Sequence, residues 1–120
     1  MGRTFVTCTI TGPKAIKDYE FLVDTGASLM GLPMGEIEEL GLAPLPNGRR
    51  RFITATGAIE LDTYTITGSV RSIGFSTMVI PAPIPLMGYE MLQSMRLRVN
   101  PVSETLEEVP DDEIHPPFLL

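Results

Sequence analysis

The chain is poor in the residues that most catalytic and metal chemistry relies on. Cysteine and histidine occur once each in 120 residues, as Cys8 and His115. One thiol cannot close an internal disulfide, and neither a thiol pair nor a Cys/His cluster is available for a metal, so no metal site and no cofactor are expected. Without a disulfide framework, a reducing compartment, and so a cytoplasmic location, is the default. His115 stands between Ile114 and Pro116 in an acidic, proline-rich tail, which leaves no Ser–His or Cys–His nucleophile pair. Net basic charge is lacking as well: nine Lys and Arg face fifteen Asp and Glu, for a formal charge of −6. Gripping a phosphate backbone takes a basic face, so nucleic acid is not an expected partner. The one basic run, Arg49-Arg50-Arg51, reads as a charged strand entrance.

Long uninterrupted apolar runs are missing too. Ser72 to Tyr89 carries no charge, but Gly74, Pro81, Pro83, Pro85 and Gly88 divide it into buried segments rather than a membrane helix, and no membrane partner is expected. Met1-Gly2-Arg3-Thr4 leads straight into a strand-like pattern, so a secretory leader is not expected, and Val6 occupies the position where a myristoylation signal needs Ser or Thr. The sequence holds no internal repeat, low-complexity segment or phosphate-binding glycine loop.

What the chain has in quantity is turn and strand formers: eleven Gly, eleven Pro and twenty-nine Val, Ile and Thr. That balance predicts an all-β domain of short strands and tight turns, and the length suits one domain. Residues 1–100 hold nine charges of each sign, so the whole acidic excess falls in residues 101–120. A folded domain over 1–109 and a loose tail over 110–120 follow.

Val6, Cys8 and Ile10 alternate with Thr7, Thr9 and Thr11, a half-buried strand ended by Gly12-Pro13 that makes Cys8 a core residue. A second strand is predicted from about Ala15 to Val23. Pro33 to Leu42 reads as a helix, with Pro33 in the first turn, Glu36, Glu38 and Glu39 early, and Gly41 as the stop; its acidic face is expected to be solvated. Arg50–Thr56 and Ala58–Val70 read as strands around Gly57, the second bent near Asp62-Thr63, where the apolar parity changes. Phe75–Ile80 follows a turn at Ser72-Ile73-Gly74. Glu90–Met95 reads as a second short helix, and Leu97–Asn100 and Thr105–Val109 as final strands. Met30, Met34, Met78, Met87, Met91 and Met95 read as core fillers.

The most informative segment is Phe21-Leu22-Val23-Asp24-Thr25-Gly26-Ala27-Ser28. A carboxyl placed directly after three apolar residues is expensive to bury unless its oxygens are bonded. Gly26 lets the chain turn so that its N–H points back at the carboxylate, and the hydroxyls of Thr25 and Ser28 can donate. Asp-Thr-Gly is also an ordinary turn tripeptide, so this segment alone does not specify chemistry.

Taken with Ile84-Pro85-Leu86-Met87-Gly88-Tyr89-Glu90-Met91-Leu92, a hairpin around Gly57 and the later Leu97-Arg98-Val99-Asn100-Pro101, the sequence resembles the retropepsin-like (clan AA) aspartic proteases, single-lobe relatives of pepsin, and among them the small stand-alone prokaryotic members. The resemblance implies an all-β acid-protease barrel with one or two short helices, assembled as a two-fold homodimer through its active-site face. It implies that Asp24 is catalytic, that Thr25 braces the active-site loops, that Ser28 hydrogen-bonds the outer oxygen of Asp24, and that Gly26 and Ala27 complete the loop. Ala55, Thr56 and Gly57 become the tip of a flap closing on an extended peptide substrate, and Leu86, Met87 and Gly88 pack behind the active-site loop. Peptide hydrolysis by this route needs two carboxyls, yet none of Asp18, Glu20, Glu36, Glu38, Glu39, Glu60, Asp62 and Glu90 sits in a comparable turn. The second carboxyl is therefore expected to be Asp24 of another copy. Two other readings fit the same residues: a non-catalytic peptide- or protein-binding module of this fold, and an unrelated dimeric β-domain in which Asp24 only caps a turn.

Overall fold

The alternation at the start of the chain becomes strand β1 (Phe5–Thr11), with Val6, Cys8 and Ile10 buried and the intervening threonines on the outer face. It pairs antiparallel along its whole length with β2 (Ile16–Asp24). The computed structural model describes residues 3–24, 26–94, 97–100, 102 and 105–108. It continues through β3 (Met30–Leu32), α1 (Met34–Leu40), β4 (Arg50–Thr54), β5 (Gly57–Leu61), β6 (Tyr64–Val70), β7 (Ile73–Pro81), β8 (Leu86–Gly88), α2 (Tyr89–Ser94), β9 (Leu97–Asn100) and β10 (Thr105–Glu108). The tail predicted over 110–120, His115 and Met95 lie outside the described residues.

Six strands close a barrel in the order β1-β2-β8-β3-β7-β6, with β6 returning to pair with β1. The hairpins β4-β5 and β9-β10 stand apart as two-stranded sheets. Closure leaves the barrel strands no free edge, and their inward residues meet in one core that includes Ile10, Phe21, Met30, Leu32, Ile66, Val79 and Met87, joined by Ile37 and Leu40 of α1. Burial in that core pushes the Cys8 thiol up to about 12, because the thiolate would lose its hydration. Among the described residues no helix is long and apolar enough to cross a membrane.

Several elements differ from expectation for identifiable reasons. Strands β3 and β8 carry no strand signal in the sequence, being three residues each, too short to display alternation, and β3 is buried throughout. The turn before β7 falls at Arg71-Ser72, not at Ser72-Ile73-Gly74: both residues have positive φ, 49° and 66°, and the strand begins at Ile73. The parity change near Asp62-Thr63 is a transfer between sheets, β5 belonging to the outer hairpin and β6 to the barrel, with the buried Thr63 hydroxyl donating to the Gly48 carbonyl at 2.7 Å. Helix α1 starts after Pro33 and stops at Gly41, whose φ of 71° and N–H bond back to the Glu38 carbonyl end the last turn. Its acidic face is not simply solvated: Glu36 accepts from the Tyr19 hydroxyl at 2.7 Å and from Lys17 Nζ at 3.1 Å, and Lys17 also pairs with Glu39. Of the methionines, Met30, Met87 and Met91 fill the core, whereas Met34 is exposed and Met78 half-buried.

Candidate active site

Asp24 is the last residue of β2, and two links fix its position. Along the chain, Phe21 is fully buried while Leu22 and Val23 are half-buried, which anchors the strand end in the core. Across the sheet, β2 runs parallel to β8 in the register Leu22↔Leu86, Val23↔Met87 and Asp24↔Gly88. On the other side of β8, Gly31 of β3 pairs with Leu86. The loop between β2 and β3 must therefore cross the end of β8, and it lies so close there that a Cβ on Gly88 would stand 2.7 Å from the Leu29 carbonyl oxygen and 2.8 Å from that of Ala27.

The Asp24 side chain is half-buried, and the Gly26 N–H donates to its Oδ1 at 2.9 Å. The Ala27 N–H donates to the Asp24 carbonyl at 3.1 Å, so the turn is held from both groups of the aspartate. Among the described residues no other side chain bonds the carboxylate. Ser28, expected to do so, is exposed and makes no hydrogen bond with Asp24. Thr25 lies outside the described residues.

The hairpin around Gly57 is in register Thr54↔Gly57, which places Ala55 and Thr56 at the tip, all three of Ala55, Thr56 and Gly57 being exposed. Thr54 Oγ1 donates to the Gly57 carbonyl at 2.7 Å, and Gly57 adopts φ 136°, a conformation open to glycine. At the root, Arg49 bonds Glu60 through Nε at 3.4 Å and Asp62 through Nη1 at 3.3 Å.

The hairpin and the Asp24 loop meet at an open cavity of about 250 Å³ lined by Gly26, Ala27, Ser28, Leu29, Gly31, Phe52, Ile53, Ile80, Ala82 and Leu86. Every lining residue is uncharged. Phe52, Ile53, Ile80 and Ala82 were not legible as site residues, because only folding brings β4 and the end of β7 to the Asp24 loop; the one local hint is an apolar Phe-Ile pair after three arginines. A larger depression of about 420 Å³, between Thr11, Leu42 and Thr67, has no titratable lining residue. No cluster of three or more His, Cys, Asp or Glu with metal-ligating proximity exists among the described residues. The arrangement thus offers one held carboxylate, whose other oxygen has no partner among the described residues, beside an apolar cavity under a hairpin.

The chain matches a family model in sequence and known structures in fold. The family model described as "Aspartyl protease" matches residues 6–94. The retroviral protease-like domain of Ddi1 from Leishmania major superposes with a TM-score of 0.62 at 20% identity, covering 90% of this chain and 89% of that one. A retropepsin-like aspartic protease from Rickettsia conorii gives 0.57 at 19% identity, over 82% and 77% of the two chains. The protease of simian foamy virus (mac) gives 0.57 at 18% identity, over 75% and 92%. No curated protein matches in sequence.

Proposed function

The chain belongs to the aspartyl protease family, with the retropepsin-like fold, and from that premise we propose that it is a homodimeric endopeptidase using Asp24 of each subunit. The observation that carries this reading is the Asp24 carboxylate itself: it is half-buried at a strand end, bonded at Oδ1 by the Gly26 amide, and its loop lines a cavity under the β4-β5 hairpin. A single such carboxylate cannot act as base and acid at once. Two of them sharing a proton across a two-fold axis can, which is the paired-carboxylate chemistry of aspartic proteases.

In that dyad the ionised Asp24 takes a proton from a water held between the carboxyls, and the oxygen attacks the peptide carbonyl carbon. The protonated Asp24 of the other copy donates to the carbonyl oxygen. Collapse of the tetrahedral intermediate breaks the C–N bond as a proton passes to the leaving nitrogen. The Gly26 amide holds Oδ1 in place, leaving the other oxygen to face the water, and the β4-β5 hairpin closes over an extended peptide by main-chain pairing.

Two measurements test this. Asp24→Asn should lower peptide hydrolysis by about 10²–10⁴-fold or more while leaving folding intact. Diluting wild-type chains into excess Asp24→Asn chains should lower the activity per wild-type chain, as mixed dimers hold one carboxylate. Constant activity per wild-type chain would overturn the two-subunit site, and equal activity of Asp24→Asn would overturn the mechanism. A peptide that binds to the wild type but is never cleaved would instead support the non-catalytic binding module.

A further inference from the structure

Among the described residues, Arg50 differs from its two neighbours in having no acid either paired with it or opposite it in the hairpin ladder. Arg49 is engaged by Glu60 and Asp62, and Arg51 lies directly across the hairpin from Glu60. Arg50 lies across from Leu61, and no ion pair forms to it among the described residues. Residues directly opposite in a ladder share a face, and successive residues alternate between faces. One face of the hairpin therefore carries Arg50 and Phe52, with Leu61 and Ile59 opposite them. Phe52 and Leu61 are half-buried, and Phe52 lines the cavity with the Asp24 loop; Ile53 reaches the cavity from the other face but is 81% exposed, and Arg51 on that face has Glu60 opposite it. It is an apolar face with one unanswered guanidinium at its root.

The spacing along that face matches a peptide's own. An extended chain repeats its side chains on one side every second residue, about 6.5–7 Å apart, and Arg50 stands one such repeat from Phe52. A peptide lying along the hairpin with an apolar side chain in the cavity would bring the side chain two positions away to Arg50. The cavity lining itself is uncharged, and the carboxylate beside it, Asp24, cannot attract a peptide carboxylate, so any preference for one has to come from outside the lining.

We propose that Arg50 is a specificity-determining residue, selecting peptides that carry a carboxylate two positions from the apolar residue seated in the cavity. The guanidinium fork suits a carboxylate through two parallel N–H bonds. This rests on the reading of the groove as a peptide site.

The test uses peptides identical except for Glu, Gln or Lys placed two positions before or after a single Phe, with kcat/KM measured for the wild type, Arg50→Gln, Arg50→Glu and Arg51→Gln. The wild type should favour Glu over Gln by about fivefold on one side of the Phe, the scale of a partly exposed ion pair, and less so at high salt. Arg50→Gln should remove the preference, Arg50→Glu should turn it toward Lys, and Arg51→Gln should keep it. Equal rates for Glu and Gln peptides in the wild type, or a preference that survives Arg50→Gln, would overturn the assignment. The same peptides bound to Asp24→Asn chains, followed by fluorescence anisotropy, separate this from catalysis. Arg50-dependent binding without any wild-type cleavage would remove the protease reading and keep this one, whereas cleavage without discrimination removes this one alone. Neither binding nor cleavage removes both.

Discussion

Asp24 and Gly88 are partners in the parallel ladder between β2 and β8, and the site closes over that pair because Gly88 has no side chain. The backbone carbonyls of Ala27 and Leu29 occupy the volume a Cβ would need, at 2.8 and 2.7 Å. Gly88→Ala should therefore push the Asp24 loop outward instead of being absorbed by a flexible side chain. A loss of about 1–3 kcal/mol is expected in urea unfolding, with hydrolysis lost more than stability alone would explain. Full activity in a folded Gly88→Ala variant would show that the loop tolerates displacement.

The same pair shows which parts of the molecule could be read beforehand. The held carboxylate of Asp24 was legible because a carboxyl after Phe21-Leu22-Val23 is costly without bonding and Gly26 supplies a donor within two residues, whereas its chemistry was expected only from the family resemblance. Strand β1 was legible because one face is buried, and α1 because Pro33 and Gly41 bracket it. Strands β3 and β8 were not, since three residues are too few to show a period. Nor were Phe52 and Ile80 as cavity neighbours, or Tyr19 as the partner of Glu36, seventeen residues on: these follow from how the hairpin and helix dock on the barrel, which no local pattern encodes.

The link between β2 and α1 predicts acid sensitivity. Hydrogen bonds from Tyr19 first, and then Lys17, hold the Glu36 carboxyl below its usual range, with Lys17 also facing Glu39. A lowered folded pKa stabilises the fold above the ordinary carboxylate range near 4.5, and that contribution is lost as pH falls through the lowered value. Glu36→Gln should cost about 1 kcal/mol at neutral pH, allowing for partial exposure. The gap from wild type should close as the pH of the urea titration drops below about 4. A gap that is constant across that range would mean the carboxylate's charge is not what holds helix to strand.

Cys8 predicts the opposite limb. Its thiol titrates at about 12 in the folded chain against 9.0 for a free one, so above pH 9 the unfolded chain loses a proton that the folded chain keeps. Stability should then fall with rising pH, by at most about 1.4 kcal/mol per unit from this group. Tyr19, also raised, acts in the same direction at higher pH, so the comparison is with Cys8→Ala, whose decline from pH 8.5 to 10 should be shallower. Native chains should also resist iodoacetamide until unfolded, because Cys8 is fully buried. Rapid labelling of the native protein would contradict a closed barrel around β1.

Gly57 separates hairpin conformation from barrel stability. At φ 136° it occupies backbone space that side chains rarely enter, although nothing stands within 4 Å of where a Cβ would project. Gly57→Ala thus introduces conformational strain without a clash, of about 1–3 kcal/mol if the turn is to keep its shape. The β4-β5 hairpin is its own sheet outside the barrel, so the strain can be relieved by local rearrangement of the tip. The expected outcome is a urea midpoint close to wild type together with a raised KM, since the hairpin that should close on substrate no longer holds its tip geometry. A midpoint lowered in step with activity would mean instead that hairpin and barrel unfold as one unit.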